Sequence, residues 1–156
     1  MYGIGSMVDK LTSELNKTLA HTKVEDFAGF VDKNKDAFIK SGAFRDYVSK
    51  LLKEKKISRR DVFIEADISD RYGYKLLSGE KRTNQRDVII RICYAASFSI
   101  EETQMALRLY RLPELYPRIP RDAFLIACFI ERPGNINEIN ELLVENNFDA
   151  ILKEDL

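Results

Sequence analysis

The sequence is poor in the residues on which most enzymes and secreted scaffolds depend. It has one histidine, His21, in a polar stretch, so no histidine triad or histidine metal cluster can be assembled around it. The two cysteines, Cys93 and Cys128, lack metal spacing and lie in apolar stretches, which is typical of small buried hydrophobes in a reducing compartment. The sequence GEKRT at 79–83 lacks the spacing of a phosphate-binding loop. We therefore expect no enzymatic activity, no catalytic residues, no metal and no cofactor.

Long apolar runs and low-complexity tracts are also missing. Four prolines and seven glycines are too few for a long disordered arm. The longest apolar run, at 123–130, is far shorter than the about 20 residues that span a bilayer. Residues 1–6 are uncharged and are followed by a polar, acidic segment, so no signal peptide is expected. These absences predict a cytoplasmic protein without a membrane partner.

An excess of charge of one sign is absent from the whole chain but present in its parts. The 156 residues have a formal net charge of zero. Residues 45–91 carry 13 Lys and Arg against 8 Asp and Glu, whereas residues 92–156 carry 6 against 11. The middle is therefore at +5 and the end at −5, and a basic middle segment is the footprint of a modest nucleic-acid binder or of an ordinary solvated helix face.

The basic middle contains a pattern for two short helices joined by a tight turn, ISRRDVFIEADISDRYGYKLLSGEKR, at 57–82. Ser58 followed by Asp61 is a capping-box variant, so a helix is expected to begin near Arg59 and to end at about Ala66. A second helix is expected to follow Ser69 and to end near Ser78, before Gly79. Two short helices with such a turn can place one helix in a DNA major groove.

This stretch resembles the helix-turn-helix of the lambda-repressor-like (XRE) family, and the resemblance extends from Phe44 to about Leu109. The matching residues are the entry Ile57-Ser58, buried Val62, Ile68-Ser69 after the turn, buried Leu76, Gly79, the basic Lys81-Arg82 and the helix pair DVIIRICYAASFSIEET. The wider arrangement resembles small bacterial XRE-like proteins with extra helices at both ends. It implies an all-α, lambda-repressor-like helix-turn-helix bundle with an N-terminal helical arm and a C-terminal helical pair.

Several residues depart from the family pattern. Arg59, Phe63, Asp67, Leu77 and Thr83 replace the usual glutamine, alanine, glycine, glutamate and proline. Gly73 stands where a branched apolar residue is usual, and a mid-helix glycine costs about 1 kcal/mol relative to alanine. We expect the flanking Tyr72 and Tyr74 to fill the space at Gly73.

The resemblance also assigns candidate DNA-contacting residues. The base-facing candidates are Asp70, Arg71, Tyr74 and Lys75, among which Arg71 has the fork geometry for a guanine edge. The phosphate-contacting candidates are Arg59, Lys81, Arg82 and Arg86. The alternative for each is a solvated side chain with no ligand.

Helical patterns continue outside this stretch. The N-terminal arm, 1–42, has one apolar stripe of Val8, Leu11, Leu15 and Leu19 and a second aromatic segment around Phe27–Phe38. Cap pairs at Asn84/Asp87, Ser99/Glu102 and Asn135/Glu138 predict three further helix starts. The proline-rich LPELYPRIP is not helical, and the apolar RDAFLIACFIER fits a buried helix better than a buried strand.

The predicted organisation is therefore an arm at 1–42, an XRE-like domain at 43–112, and a linker with a helical extension at 113–156. By resemblance, the function is sequence-specific binding of double-stranded DNA by a homodimeric transcriptional regulator. The alternative is a protein-interaction module that keeps the fold, has lost DNA binding, and meets a protein partner through its terminal helices.

Overall fold

A computed structural model describes residues 4–154, with side chains from residue 11 onward. These residues form nine α-helices, two short 3-10 turns and no strand, so the all-α prediction is confirmed for them. The helices are α1 Ile4–Leu19, α2 Phe27–Lys33, α3 Ala43–Lys55, α4 Arg59–Ala66, α5 Asp70–Ser78, α6 Arg86–Ala95, α7 Ile100–Leu109, α8 Pro120–Glu131 and α9 Ile136–Glu145. None of these helices combines the length and the apolar character needed to cross a bilayer.

The chain divides into two compact units, Met1–Ser41 and Gly42–Leu156. The first contains α1 and α2. Its buried side chain, Phe30, stacks on Phe27 with ring centroids 5.8 Å apart and meets Phe38 edge-on at 6.2 Å. Leu11 and Leu19 of the predicted stripe are exposed and Leu15 is half-buried, while the side chain of Val8 lies outside those described.

The second unit is built around α6. Every residue from Val88 to Tyr94 is buried, because the run VIIRICY is surrounded by α4, α7 and α9. Helix α3 packs on α5 and α7, and α8 packs on α7 and α9. Residues 113–154 thus share one compact unit with the five helices of residues 43–109.

Local capping signals place four helix starts correctly. The side chains of Ser58, Ser69, Ser99 and Asn135 accept the backbone N–H three residues on, and the last two form complete capping boxes. The cap predicted at Asn84/Asp87 is wrong. Helix α6 begins at Arg86, so Gln85 and not Asn84 is its N-cap, and no side chain caps it; the Asp87 carboxylate binds Arg121.

The apolar run RDAFLIACFIER, for which the sequence favoured a helix over a strand, forms helix α8. It begins at Pro120, whose missing N–H is harmless in a first turn. Helix α7 ends at Leu109, and Arg111, two residues beyond it, has a positive φ.

Both cysteines are buried and free, as their apolar surroundings predict.

Burial raises the pKa of the Cys93 thiol to about 12, although a hydrogen bond with Thr103 acts in the opposite direction. At pH 8 the thiolate is then about one part in 10⁴. A Cys128→Ala variant should therefore react with an aromatic disulfide reagent at least about 100-fold more slowly when folded than in denaturant. Prompt release of one thiol equivalent from the folded variant would contradict this burial.

Candidate functional site

The exposed face of α5 is the site to which the sequence points. Ser69 caps the helix by accepting the N–H of Tyr72, and Gly79 ends it at a φ of 84°, a conformation that favours glycine. Gly73, Leu76 and Leu77 face the core. The opposite face is left for polar residues, as expected of an amphipathic surface helix.

The four predicted base-facing residues lie between the first residue of α5 and Lys75, which belongs to its last turn. Asp70 and Arg71 are exposed, and Tyr74 keeps 48% of its surface accessible. Lys75 is half-buried, with its ammonium 3.9 Å from a Glu80 carboxylate oxygen. The positions i, i+1, i+4 and i+5 place these side chains on adjacent faces of one helix, within reach of a single ligand.

Tyr74 has a fixed orientation because its ring packs edge-on against Phe63 of α4. The ring centroids are 5.0 Å apart and the rings are inclined at 78°. Such edge-to-face pairs stabilise one arrangement by about 0.5–1.5 kcal/mol beyond area burial. The half-exposed Tyr74 side chain is therefore held in one orientation on the surface of α5.

Phe63 also explains why α5 carries glycine at position 73. A Cβ placed on Gly73 would lie 2.4 Å from Cε1 and 2.5 Å from Cδ1 of Phe63, and Phe63 has no exposed surface. The space at Gly73 is therefore filled by Phe63 from the preceding helix, not by Tyr72 and Tyr74 as the sequence suggested. Phe63 and Gly73 therefore compensate each other: a large residue on α4 occupies the volume that a small one on α5 leaves.

Among the predicted phosphate contacts, Lys81 is accessible. It is exposed just beyond the end of α5, and its ammonium lies 4.8 Å from the centroid of the Tyr72 ring. A cation–π contact at an exposed site is worth about 0.5–1 kcal/mol, which orients the lysine without burying its charge.

Arg59 and Arg82 bind groups of the protein itself. Arg59 donates a 2.6 Å hydrogen bond to the Ser49 hydroxyl. Arg82 donates to the Tyr110 carbonyl at 2.7 Å, and its guanidinium lies 4.4 Å from the centroid of the Tyr110 ring. Both arginines therefore join parts of the second unit to each other, which limits their reach toward a ligand.

Arg86 is engaged more completely. Its guanidinium binds both carboxylate oxygens of Asp122, at 2.6 and 3.1 Å, and donates to the Glu114 carbonyl. Asp122 is only 1% exposed and also accepts the N–H of Tyr116 at 2.9 Å. A forked pair with a buried carboxylate is a structural contact, so Arg86 holds α6 to α8.

A second pair runs in the opposite sense beside it. Arg121 binds both carboxylate oxygens of Asp87, at 3.0 and 2.9 Å. The dipeptide Arg-Asp therefore occurs at the starts of α6 and α8, and each arginine binds the aspartate of the other dipeptide. This Arg-Asp clasp was missed by sequence reasoning, and the dipeptide was no signal for it, because Arg-Asp also occurs at 45–46 and 60–61.

The charge around α5 is mixed. Arg60, Arg71, Lys81 and Arg82 are exposed cations of this region, while Asp61, Asp70 and Glu80 are exposed carboxylates. The +5 of residues 45–91 slightly overstates the charge available to a polyanion, since Arg86 and Asp87 are both paired and Arg91 is buried. Electrostatic attraction of DNA to this face would be modest.

The remaining chemistry of the described residues is limited. His21 is exposed in the turn after α1. Among the side chains described, those of residues 11–154, no three His, Cys, Asp or Glu are grouped as a metal site would require. Comparison of the chain with protein-family models, with curated proteins and with solved structures found no match.

Proposed function

We propose that the chain is an XRE-type, lambda-repressor-like helix-turn-helix protein that binds specific double-stranded DNA sequences as a transcriptional regulator. The observation that carries the proposal is the outer face of α5, on which the exposed Arg71 and Tyr74 and the half-buried Lys75 lie near one another after a tight, capped turn from α4. A helix presented in this way has the shape that enters a major groove.

The proposal assigns different tasks to the basic residues. Arg71 forks onto a guanine edge, Tyr74 and Lys75 reach neighbouring bases or phosphates, and Asp70 accepts from a cytosine amine. Lys81 neutralises a phosphate at the end of α5. The other three arginines have structural roles, because their guanidinium groups bind protein acceptors. Arg59 binds α3, Arg82 binds the end of α7, and Arg86 joins α6 to α8.

A homodimer is part of the proposal. Two copies would place two α5 helices on half-sites about 34 Å apart along the DNA. The first unit supports an association surface, because Leu11, Leu19, Val24 and Val31 are exposed and apolar. Its equal numbers of acidic and basic residues, six each in 1–41, would not repel a second copy.

A protein-interaction module is the second candidate. It is favoured by the internal engagement of Arg59, Arg82 and Arg86, and by the carboxylates of Asp70 and Glu80 beside the α5 face. A protein surface of mixed charge would complement such a face better than a uniform polyanion does.

Salt dependence separates the two candidates. If DNA binds through phosphates, the logarithm of affinity for a selected duplex should fall with the logarithm of salt concentration at a slope of about −0.9 per contacted phosphate. Arg71→Ala should reduce discrimination at one base pair by about 1–3 kcal/mol, while Lys81→Ala should weaken all duplexes alike and reduce the slope by about 1.

The measurement is fluorescence anisotropy with duplexes selected from a random library, between about 50 and 200 mM salt. Arg118→Ala, in the loop before α8, removes an equally exposed arginine and should leave base preference unchanged. If no duplex binds at low salt, the DNA proposal is rejected. A stable complex with a protein would then support the second candidate.

A further inference from the structure

The segment after α9 is extended and is held by side chains of three helices. Residues 149–153 belong to no helix or strand. Arg121 of α8 donates to the carbonyl of Asp149 at 3.0 Å and to that of Ala150 at 3.3 Å. One guanidinium therefore binds two consecutive carbonyls of the extended chain while it also pairs with Asp87.

The next two residues are held in the same manner. The Asn140 side chain accepts the N–H of Ile151 at 2.8 Å, and Asp87 accepts the N–H of Leu152 at 3.1 Å. Arg91 donates to the carbonyls of both residues, through Nε at 3.2 Å to Leu152 and through Nη2 to Ile151. Backbone groups of four consecutive residues are thus bound by side chains from α6, α8 and α9, which recognises an extended peptide without reading its sequence.

Selectivity is confined to two side chains of the segment. Ile151 is 3% exposed and fills the apolar space beneath the chain, whereas Asp149 and Leu152 are exposed. The Lys153 ammonium lies 3.4 Å from a carboxylate oxygen of Asp67, in the turn between α4 and α5. The segment therefore presents a branched aliphatic residue and, two residues later, a cation.

The binding side chains have partners that do not depend on the segment. Arg91 also donates to the Ala66 carbonyl at 2.9 Å, and Arg121 and Asp87 bind each other through two hydrogen bonds. Three of the side chains are therefore also held by contacts outside the segment. Pre-organisation of this kind reduces the entropy lost when a peptide binds.

We propose that this groove, formed by Asp67, Asp87, Arg91, Arg121 and Asn140, is a peptide-binding site that residues 149–153 occupy in cis. The ligand in trans is an extended peptide from a partner protein, with a branched aliphatic residue and a Lys or Arg two positions later. The site is separate from the α5 face and does not depend on DNA binding. Because Ala66 and Asp67 end α4, exchange of the occupant acts on the turn that leads into α5.

The test uses the full-length chain with Ile151→Asp, which places a carboxylate where an apolar side chain is buried and so expels the segment. The probe is a fluorescein-labelled peptide of residues 147–154. We expect saturable binding to the variant at least about tenfold tighter than to the wild-type chain, because the tethered segment competes at an effective concentration on the order of millimolar. The same peptide with Asp in place of Ile should not bind, and adding Arg121→Met to the variant should weaken binding by about tenfold or more.

Equal binding of both peptides, or none to a folded Ile151→Asp chain, would overturn the proposal. Folding is checked by circular dichroism and cooperative thermal unfolding. If the variant does not fold, a protease site inserted between Asn146 and Asn147 of the otherwise wild-type chain replaces it. The cleaved segment should then remain bound through gel filtration and should exchange with the labelled peptide. A segment that is lost on the column, or that does not exchange, would equally reject the site. A wild-type dimer that the peptide converts to monomer would identify the occupant as the segment of a second copy and reject a foreign partner.

Discussion

Gly73→Ala is expected to lower the free energy of unfolding by about 2 kcal/mol, although alanine is the better helix former. The added methyl group would lie 2.4 Å from the Phe63 ring, which is fully buried and cannot swing into solvent. Overpacking of a filled core costs about 1–3 kcal/mol or more, and the gain in helix propensity returns up to about 1 kcal/mol. The measurement is urea unfolding followed by circular dichroism.

A second helical glycine, Gly29, serves as a control that measures the gain in helix propensity alone. Gly29 lies within α2, and a Cβ placed there meets nothing within 4 Å. Gly29→Ala should therefore be neutral or stabilising by up to about 1 kcal/mol. Equal effects of the two glycine substitutions would contradict the close contact of α4 with α5.

A double-mutant cycle tests the compensation between the two helices. Phe63→Ala alone should cost about 3–5 kcal/mol, because it leaves a cavity under α5. In that background Gly73→Ala should become stabilising, since the methyl group now enters the vacated space. The cycle should give a coupling energy of about 3 kcal/mol, at the upper end of the range for residues in contact. Additive effects would show that Phe63 and Gly73 do not share one volume.

Asp122→Ala is expected to lower the free energy of unfolding by about 3 kcal/mol, an effect comparable to that of Gly73→Ala. The substitution removes both hydrogen bonds of the Arg86 fork and the acceptor of the Tyr116 N–H. Breaking one side of a buried ion pair costs about 3–5 kcal/mol, and the lower end is expected because Arg86 retains some exposure. The same unfolding experiment measures it.

Glu114→Ala is the control for a lost carboxylate in the same region. Glu114 pairs with Arg108 at 3.0 Å, but 42% of its side chain is accessible, so the loss of unfolding free energy should stay below about 1 kcal/mol. Replacing both members of the buried pair, as Arg86→Met with Asp122→Leu, should recover much of the stability lost in Asp122→Ala, because no unpaired charge remains. If Asp122→Ala were no worse than Glu114→Ala, the Arg-Asp clasp would not be holding α6 to α8.

The clasp also bears on the interpretation of DNA-binding variants. Arg86→Ala should lower stability, whereas Lys81→Ala should lower only affinity for DNA. A loss of DNA binding in Arg86→Ala is therefore informative only after its folded fraction is known.

Helix starts were predictable because their causes are local. Ser58, Ser69, Ser99 and Asn135 each bind an N–H three residues away, so the sequence spacing alone contains the geometry. Asn84/Asp87 has the same spacing and failed. The Asp87 carboxylate has a stronger partner, the Arg121 guanidinium, which is 34 residues away in sequence.

By itself, then, the amino-acid sequence determined the helical class, the tight turn between α4 and α5, and which residues occupy the outer face of α5. The first two follow from a periodicity or a cap that operates within a few residues, whereas the outer-face residues were assigned by resemblance to a known family pattern. Only the tertiary structure decided that Phe63 fills the space at Gly73, that Arg86 binds Asp122, and that residues 149–153 lie along Arg91 and Arg121. The physical reason is that an arginine or an aromatic ring reaches across helices, and its partner is selected by which helices pack together, a choice that no local pattern records.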